Sequence, residues 1–87
     1  MATRRFAYVY TMKRDPDRVR TVAPRHASYW QGLELPGYLG GPFGDRSGGL
    51  ITFEAADAER AQHLVNNDPF VEEGLVHESS LKEWQPE

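Results

Sequence analysis

Two side chains in this sequence are suited to moving a proton: the histidine at position 26 and the aspartate at position 68. Imidazole is the side chain whose ordinary titration lies nearest neutral pH, so it can accept or relay a proton with little tuning. A carboxylate beside it would hold the ring in one tautomer and steady the imidazolium once the proton arrives. His26 falls on an apolar stripe with Val19, Val22, Trp30 and Leu33, where an unpartnered imidazole would cost roughly 1–3 kcal/mol. Asp68 stands in "NNDPFVEEGL", where Pro69 pushes it out of the helical region and into the pattern of a helix N-cap. Its carboxylate could do no more than accept the backbone N–H of Phe70 or Val71, and His26 could equally be satisfied by a backbone carbonyl. The spacing alone leaves both readings open.

Other chemistries find less support. With no cysteine, disulfides, thiol nucleophiles and Cys-based zinc sites are excluded. His26, His63 and His77 show no metal-ligand spacing, so neither a metal nor an organic cofactor is expected. "GGPFGDRSGG" lacks the Gly-Lys-Ser/Thr ending of a phosphate loop and no helix follows it, so it reads as a hairpin with its strand end pinned by Pro42. Tyr8, Tyr10, Trp30 and Phe43 could line a pocket for a flat small molecule. Among them Tyr8 and Trp30 are expected to shape the pocket, with Pro42 and Phe43 at its rim.

The elements that must position these residues follow from periodicity. "RRFAYVYTM" alternates as a strand. Asp15-Pro16 breaks it, and the Val19–Leu33 stripe is a helix that either kinks at Pro24 or begins there. In the second case His26 lies in the first turn, where the positive helix end favours a neutral ring. "YLGGPFG" and "LITFEA" are two further strands joined by "DRSGG", a connection rich in residues that tolerate positive φ. Asp57 caps a second helix with inner face Ala61, Leu64 and Val65, "PFVEEG" is a single turn, and "LVHESSLKEW" is the last strand. The order β-α-β-β-α-β predicts an α+β, ferredoxin-like domain spanning residues 1–87: a four-stranded antiparallel sheet with both helices on one face. The other face would meet water unless a second copy covers it, so a homodimer is expected.

Length and charge agree with a small domain. A chain of 87 residues buries only about 60–65% of its unfolded surface, which makes self-association a natural supplement. No apolar run approaches the roughly 20 residues of a membrane span and no signal-peptide core is visible, so the expected setting is the cytoplasm, away from membranes. Residues 1–46 carry eight Lys/Arg against four Asp/Glu, and residues 47–87 carry two against nine. The basic residues form no dense cluster, so nucleic acid is not an expected partner.

The aromatic first strand, "RHASYW" on the first helix, "GGPFGDRSGGL" in the middle hairpin, "NDPFVEEGLV" after the second helix and a closing tryptophan together resemble the YciI-like (YCII-related domain) family, over nearly the whole chain. "DPF" is the most specific part. "ELPGYLGG", with Pro36, departs from the plainer turn usual in the family. The resemblance implies a dimeric α+β barrel of two sheets packed face to face, and a pocket whose catalytic histidine and aspartate match His26 and Asp68. It also implies kinship of fold with muconolactone isomerases, and of family with an enzyme that removes chloride from a chlorinated hydroxyquinol. The expectation is a cofactor-independent enzyme using a His26–Asp68 dyad for isomerisation or elimination on a small cyclic oxygenated molecule. The competing expectation is a non-catalytic, small-molecule-binding dimeric module.

Overall fold

Alternation at the start of the chain becomes strand β1, Arg4–Met12, whose Phe6, Tyr8 and Tyr10 all turn to one side and are buried. The computed structural model describes residues 2–87. Asp15 ends the link after β1 by accepting the amide of Arg18 at 3.3 Å, with Pro16 in the first turn, and α1 runs Pro16–Gly32. Pro24 therefore lies inside a helix that began two turns earlier, where it leaves one carbonyl of the preceding turn without its amide. His26 is mid-helix. The expectation of a positive helix end acting on its ring has no basis here, because that effect dies within the first turn.

After α1 come β2, Leu39–Pro42, and β3, Gly48–Ala55. Asp57 caps α2, Ala58–Asn66, by accepting from Arg60 at 2.8 Å, and α2 buries Ala61, Leu64 and Val65 as its spacing requires. A single turn α3, Pro69–Glu72, and strand β4, Val76–Glu83, complete the chain. The strands form one antiparallel sheet in the order β2-β3-β1-β4. This is the α+β, ferredoxin-like arrangement that the element order predicts.

The core lies between the sheet and the helices. Phe6 and Tyr8 of β1 face Phe53 and Ile51 of β3 in register, and Trp30 of α1, with no exposed surface, closes over them. Trp30 and Phe53 ring centroids are 5.4 Å apart, and Tyr8 and Trp30 6.3 Å. The opposite face of the sheet bears Ala7, Val9, Leu50, Thr52 and Leu39, paired across strands. Leu39 there is 75% exposed, and no helix among the described residues covers it.

Candidate functional site

The site begins with helical spacing. His26 and Trp30 are one turn apart on α1, so their side chains share a face. Both direct a ring nitrogen at the same carboxylate. His26 Nδ1 lies 2.8 and 2.9 Å from the two oxygens of Asp68, and Trp30 Nε1 donates to Oδ2 at 3.0 Å. Asp68 is the N-cap of α3, and its Oδ1 also accepts the Phe70 amide at 2.8 Å. The cap and the partner of His26 are thus one carboxylate serving both roles. Pro69 makes this possible: it holds Asp68 in extended backbone (ψ 128°), at a corner that swings the side chain toward α1. Asp68 is 1% exposed, so its oxygens depend on these N–H donors in place of water.

The far nitrogen of the ring decides what the pair can do. A carboxylate has only acceptors to offer, so the Nδ1 facing it carries a proton, and in the neutral ring Nε2 keeps its lone pair. The Tyr10 hydroxyl is 3.3 Å from Nε2 and can donate to it. Burial, then the charge of Asp68, then Tyr38, push the Tyr10 phenol up to about 12, so at neutral pH it holds its proton. Phe70 stacks on the imidazole at 4.2 Å between centroids and 21° between planes, which fixes the ring's tilt. Asp68, His26 and Tyr10 form one hydrogen-bonded chain running from a buried anion to a cavity.

That cavity, of about 350 Å³, is walled by Tyr10, His26, Tyr38, Phe70, Arg46 and the β2 end at Pro42, with Gly40, Gly41 and Gly48 supplying bare backbone. Gly49 pairs with Tyr10 across the sheet, and a side chain there would run into the Tyr10 hydroxyl. The glycine makes room for that hydroxyl. The described residues hold no group of three His, Asp or Glu side chains that could ligate a metal ion.

Residues 6–85 match the YCII-related domain. The chain belongs to that family. No match was found among curated protein sequences. Among solved structures the fold is similar to that of 5-chloro-2-hydroxyhydroquinone dehydrochlorinase from Burkholderia phenoliruptrix AC1100, in complex with 2,5-dihydroxybenzoquinone. The TM-score is 0.80 at 23% identity, with 93% of each chain covered. At that identity the likeness is one of fold.

In this YCII-related domain the expected pocket residues divide. Pro42 lines the cavity. Tyr8 and Trp30 do not: each is buried in the core, Trp30 because it lies one turn from His26 toward the sheet, Tyr8 because it sits mid-strand under α1. Trp30 touches the site only through Asp68. Phe43 is not among the cavity walls either, because it follows the end of β2 and is turned to solvent at 36% exposure. The walls that sequence reasoning passed over are Tyr38, Phe70 and Arg46. Phe70 was discoverable, since its amide was already expected to cap onto Asp68. Arg46 was hidden by the hairpin, read only as a connection rich in residues that tolerate positive φ. The structure places Gly48 and Gly49 in β3 and gives φ +64° to Arg46.

No helix of the described residues is long and apolar enough to cross a membrane.

Proposed function

We propose that this protein is a cytoplasmic, cofactor-independent acid–base enzyme acting on a small, cyclic, oxygenated molecule, by isomerisation or elimination. The observation that carries this reading is the Asp68–His26–Tyr10 chain, whose outer end meets a cavity of about 350 Å³, room enough for a single substituted ring. In the proposed reaction His26 Nε2 accepts a proton from a ring hydroxyl or an adjacent carbon, directly or through Tyr10. Asp68 stays in place, orients the ring through Nδ1 and balances the imidazolium. For an elimination, a proton first moves from a ring hydroxyl to the halogen-bearing carbon, giving the keto tautomer. Loss of a second hydroxyl proton to the imidazole then forms a carbonyl, and the adjacent ring double bond shifts onto the carbon that carried the halogen. Halide leaves with the carbon–halogen pair, and the net change is loss of HX. For an isomerisation the same proton returns at another carbon. The solved dehydrochlorinase of similar fold, with its bound dihydroxybenzoquinone, makes chlorinated hydroxyquinols the first substrates to try.

The proposal includes a homodimer in which two sheets meet by their uncovered faces. Val9, Leu39 and Leu50 are exposed on that face; burying Leu39 would contribute about 1–2 kcal/mol, and Val9 and Leu50, already more than half covered, about 1 kcal/mol or less each. Sedimentation at micromolar concentration should give twice the chain mass, and a monomer there removes the dimer.

The test of the chemistry is chloride release from 5-chloro-2-hydroxyhydroquinone by the purified protein, beside its His26→Ala and Asp68→Asn variants. Turnover by the wild type and loss in both variants supports the dyad. Full activity in either variant ends it. Binding of the ring without turnover would favour the small-molecule-binding module.

A further inference from the structure

We infer that the cavity takes a small organic anion and that Arg46 is the residue that binds its charge. This rests on the cavity being the binding site proposed above, and it adds what kind of ring enters. Arg46 is the one Lys or Arg on the cavity wall, and no carboxylate lines it. Asp68 lies behind the imidazole with its oxygens already engaged by His26, Trp30 and Phe70. Besides His26, whose ring is paired with Asp68, the other polar walls, Tyr10, Tyr38 and Gln31, are neutral donors and acceptors. An anion entering this space gives up water, and a guanidinium returns two parallel charge-assisted bonds to a carboxylate or to paired ring oxygens.

Three local facts fit Arg46 to this role. Its side chain makes no ion pair or hydrogen bond among the described residues, whereas Arg5, Arg18, Arg20 and Arg25 are each paired with a carboxylate. The adjacent Asp45, the nearest acid in sequence, is already satisfied by the Ser47 amide at 3.0 Å and hydroxyl at 2.6 Å. Those bonds hold the Asp45 carboxyl below its ordinary range, which keeps it a fixed part of the hairpin. The backbone of Arg46 is left-handed, φ +64°, a conformation that costs a non-glycine residue about 1–2 kcal/mol. The Arg46 amide donates to Phe43 at 2.9 Å, so the turn holds this conformation and sets the arginine beside the cavity. On its outer side Arg46 also borders an open groove bearing Lys13, Arg14 and Arg20 against Asp15 and Glu78, a net positive approach that would steer an anion inward.

The experiment compares 2-hydroxybenzoate with 2-hydroxybenzamide, two rings of like shape that differ in charge. Binding is followed by NMR shifts of the His26 ring and the Phe70 amide. The carboxylate should bind about tenfold or more tightly than the amide, and added salt should weaken it. Arg46→Gln should erase that preference and Arg46→Lys should keep part of it. Arg46→Gly relieves the left-handed strain, so it should fold at least as stably and still lose the preference. Equal affinity for the two rings, no binding of the carboxylate at millimolar concentration, or a preference that survives Arg46→Gln overturns the inference. Failure of the acid–base reading has a separate signature that needs no ligand: a His26 tautomer, read from ring nitrogen shifts, that ignores Asp68→Asn.

Discussion

Tyr8 and Tyr10 occupy the same strand and the same face, and both are buried, yet they end in different surroundings. Tyr8 is flanked across the sheet by Ile51 and Leu81, and its hydroxyl has no hydrogen-bond partner among the described residues. Tyr10 is flanked by Gly49 and Ser79, and its hydroxyl reaches His26. Large apolar neighbours close one end of the layer; small ones leave the other open to a cavity. Burial raises both phenols, with the charge of Asp68 adding to it. The difference teaches that a desolvated polar group becomes part of a site only where its cross-strand neighbours leave space for a partner and a ligand.

The largest effect that would sharpen this contrast is at the dyad. His26→Ala should lower turnover about 10²- to 10⁴-fold, the usual contribution of a positioned acid–base group, while circular dichroism shows the fold retained. Asp68→Ala should lower turnover similarly and also destabilise the protein, by about 3 kcal/mol or more in urea unfolding, because the Trp30 and Phe70 N–H groups are left buried without an acceptor. Equal stability of the two variants would break the account of Asp68 as both cap and partner.

Next in size is the alkaline limb of stability. The folded Tyr10 phenol is pushed up to about 12 from an ordinary 10.0, so the unfolded chain loses its proton first. Its contribution is complete below about pH 10 and is lost as pH rises toward 12. Tyr8, Tyr29 and Tyr38 are raised in the same direction and steepen the fall. Stability that stays flat from pH 10 to 12 would contradict the burial of these phenols, and Tyr10→Phe should make the fall shallower.

Smaller again, Tyr10→Phe should reduce turnover about tenfold with little change in stability at neutral pH, since it removes one neutral hydrogen bond to Nε2. The smallest effect belongs to Tyr8→Phe. Removing a buried hydroxyl that has no partner should leave activity unchanged and stability equal or higher by about 1 kcal/mol. Should Tyr8→Phe cost as much activity as Tyr10→Phe, the distinction between the two ends of the layer is lost.

Much of the fold was legible because its signals are local. Alternation in "RRFAYVYTM", the caps at Asp57 and Asp68 and the apolar stripes of α1 and α2 each act within a few residues, and each appears where local physics puts it. The start of α1 was ambiguous, since Pro24 fits a first turn as well as a kink; the Asp15 cap and the packing of the whole stripe settle it at Pro16. The site was legible only in its residue types. Tyr8 and Trp30 look as suitable for a pocket as Tyr10 does; pairing register separates Tyr8 from Tyr10, and the way α1 lies over the sheet puts Trp30 in the core.

From the sequence alone came the element order, the exclusion of thiol chemistry, the cap at Asp68 and the choice of histidine and aspartate as the pair to watch. Tertiary structure alone decided that the pair, 42 residues apart, lies at 2.8 Å, that Trp30 braces the carboxylate and stays out of the pocket, and that Arg46 faces the cavity. The physical reason is range. Propensities, caps and periodicities are set by neighbours along the chain, whereas a site is set by which strands pair in which register and which helix face lies over them.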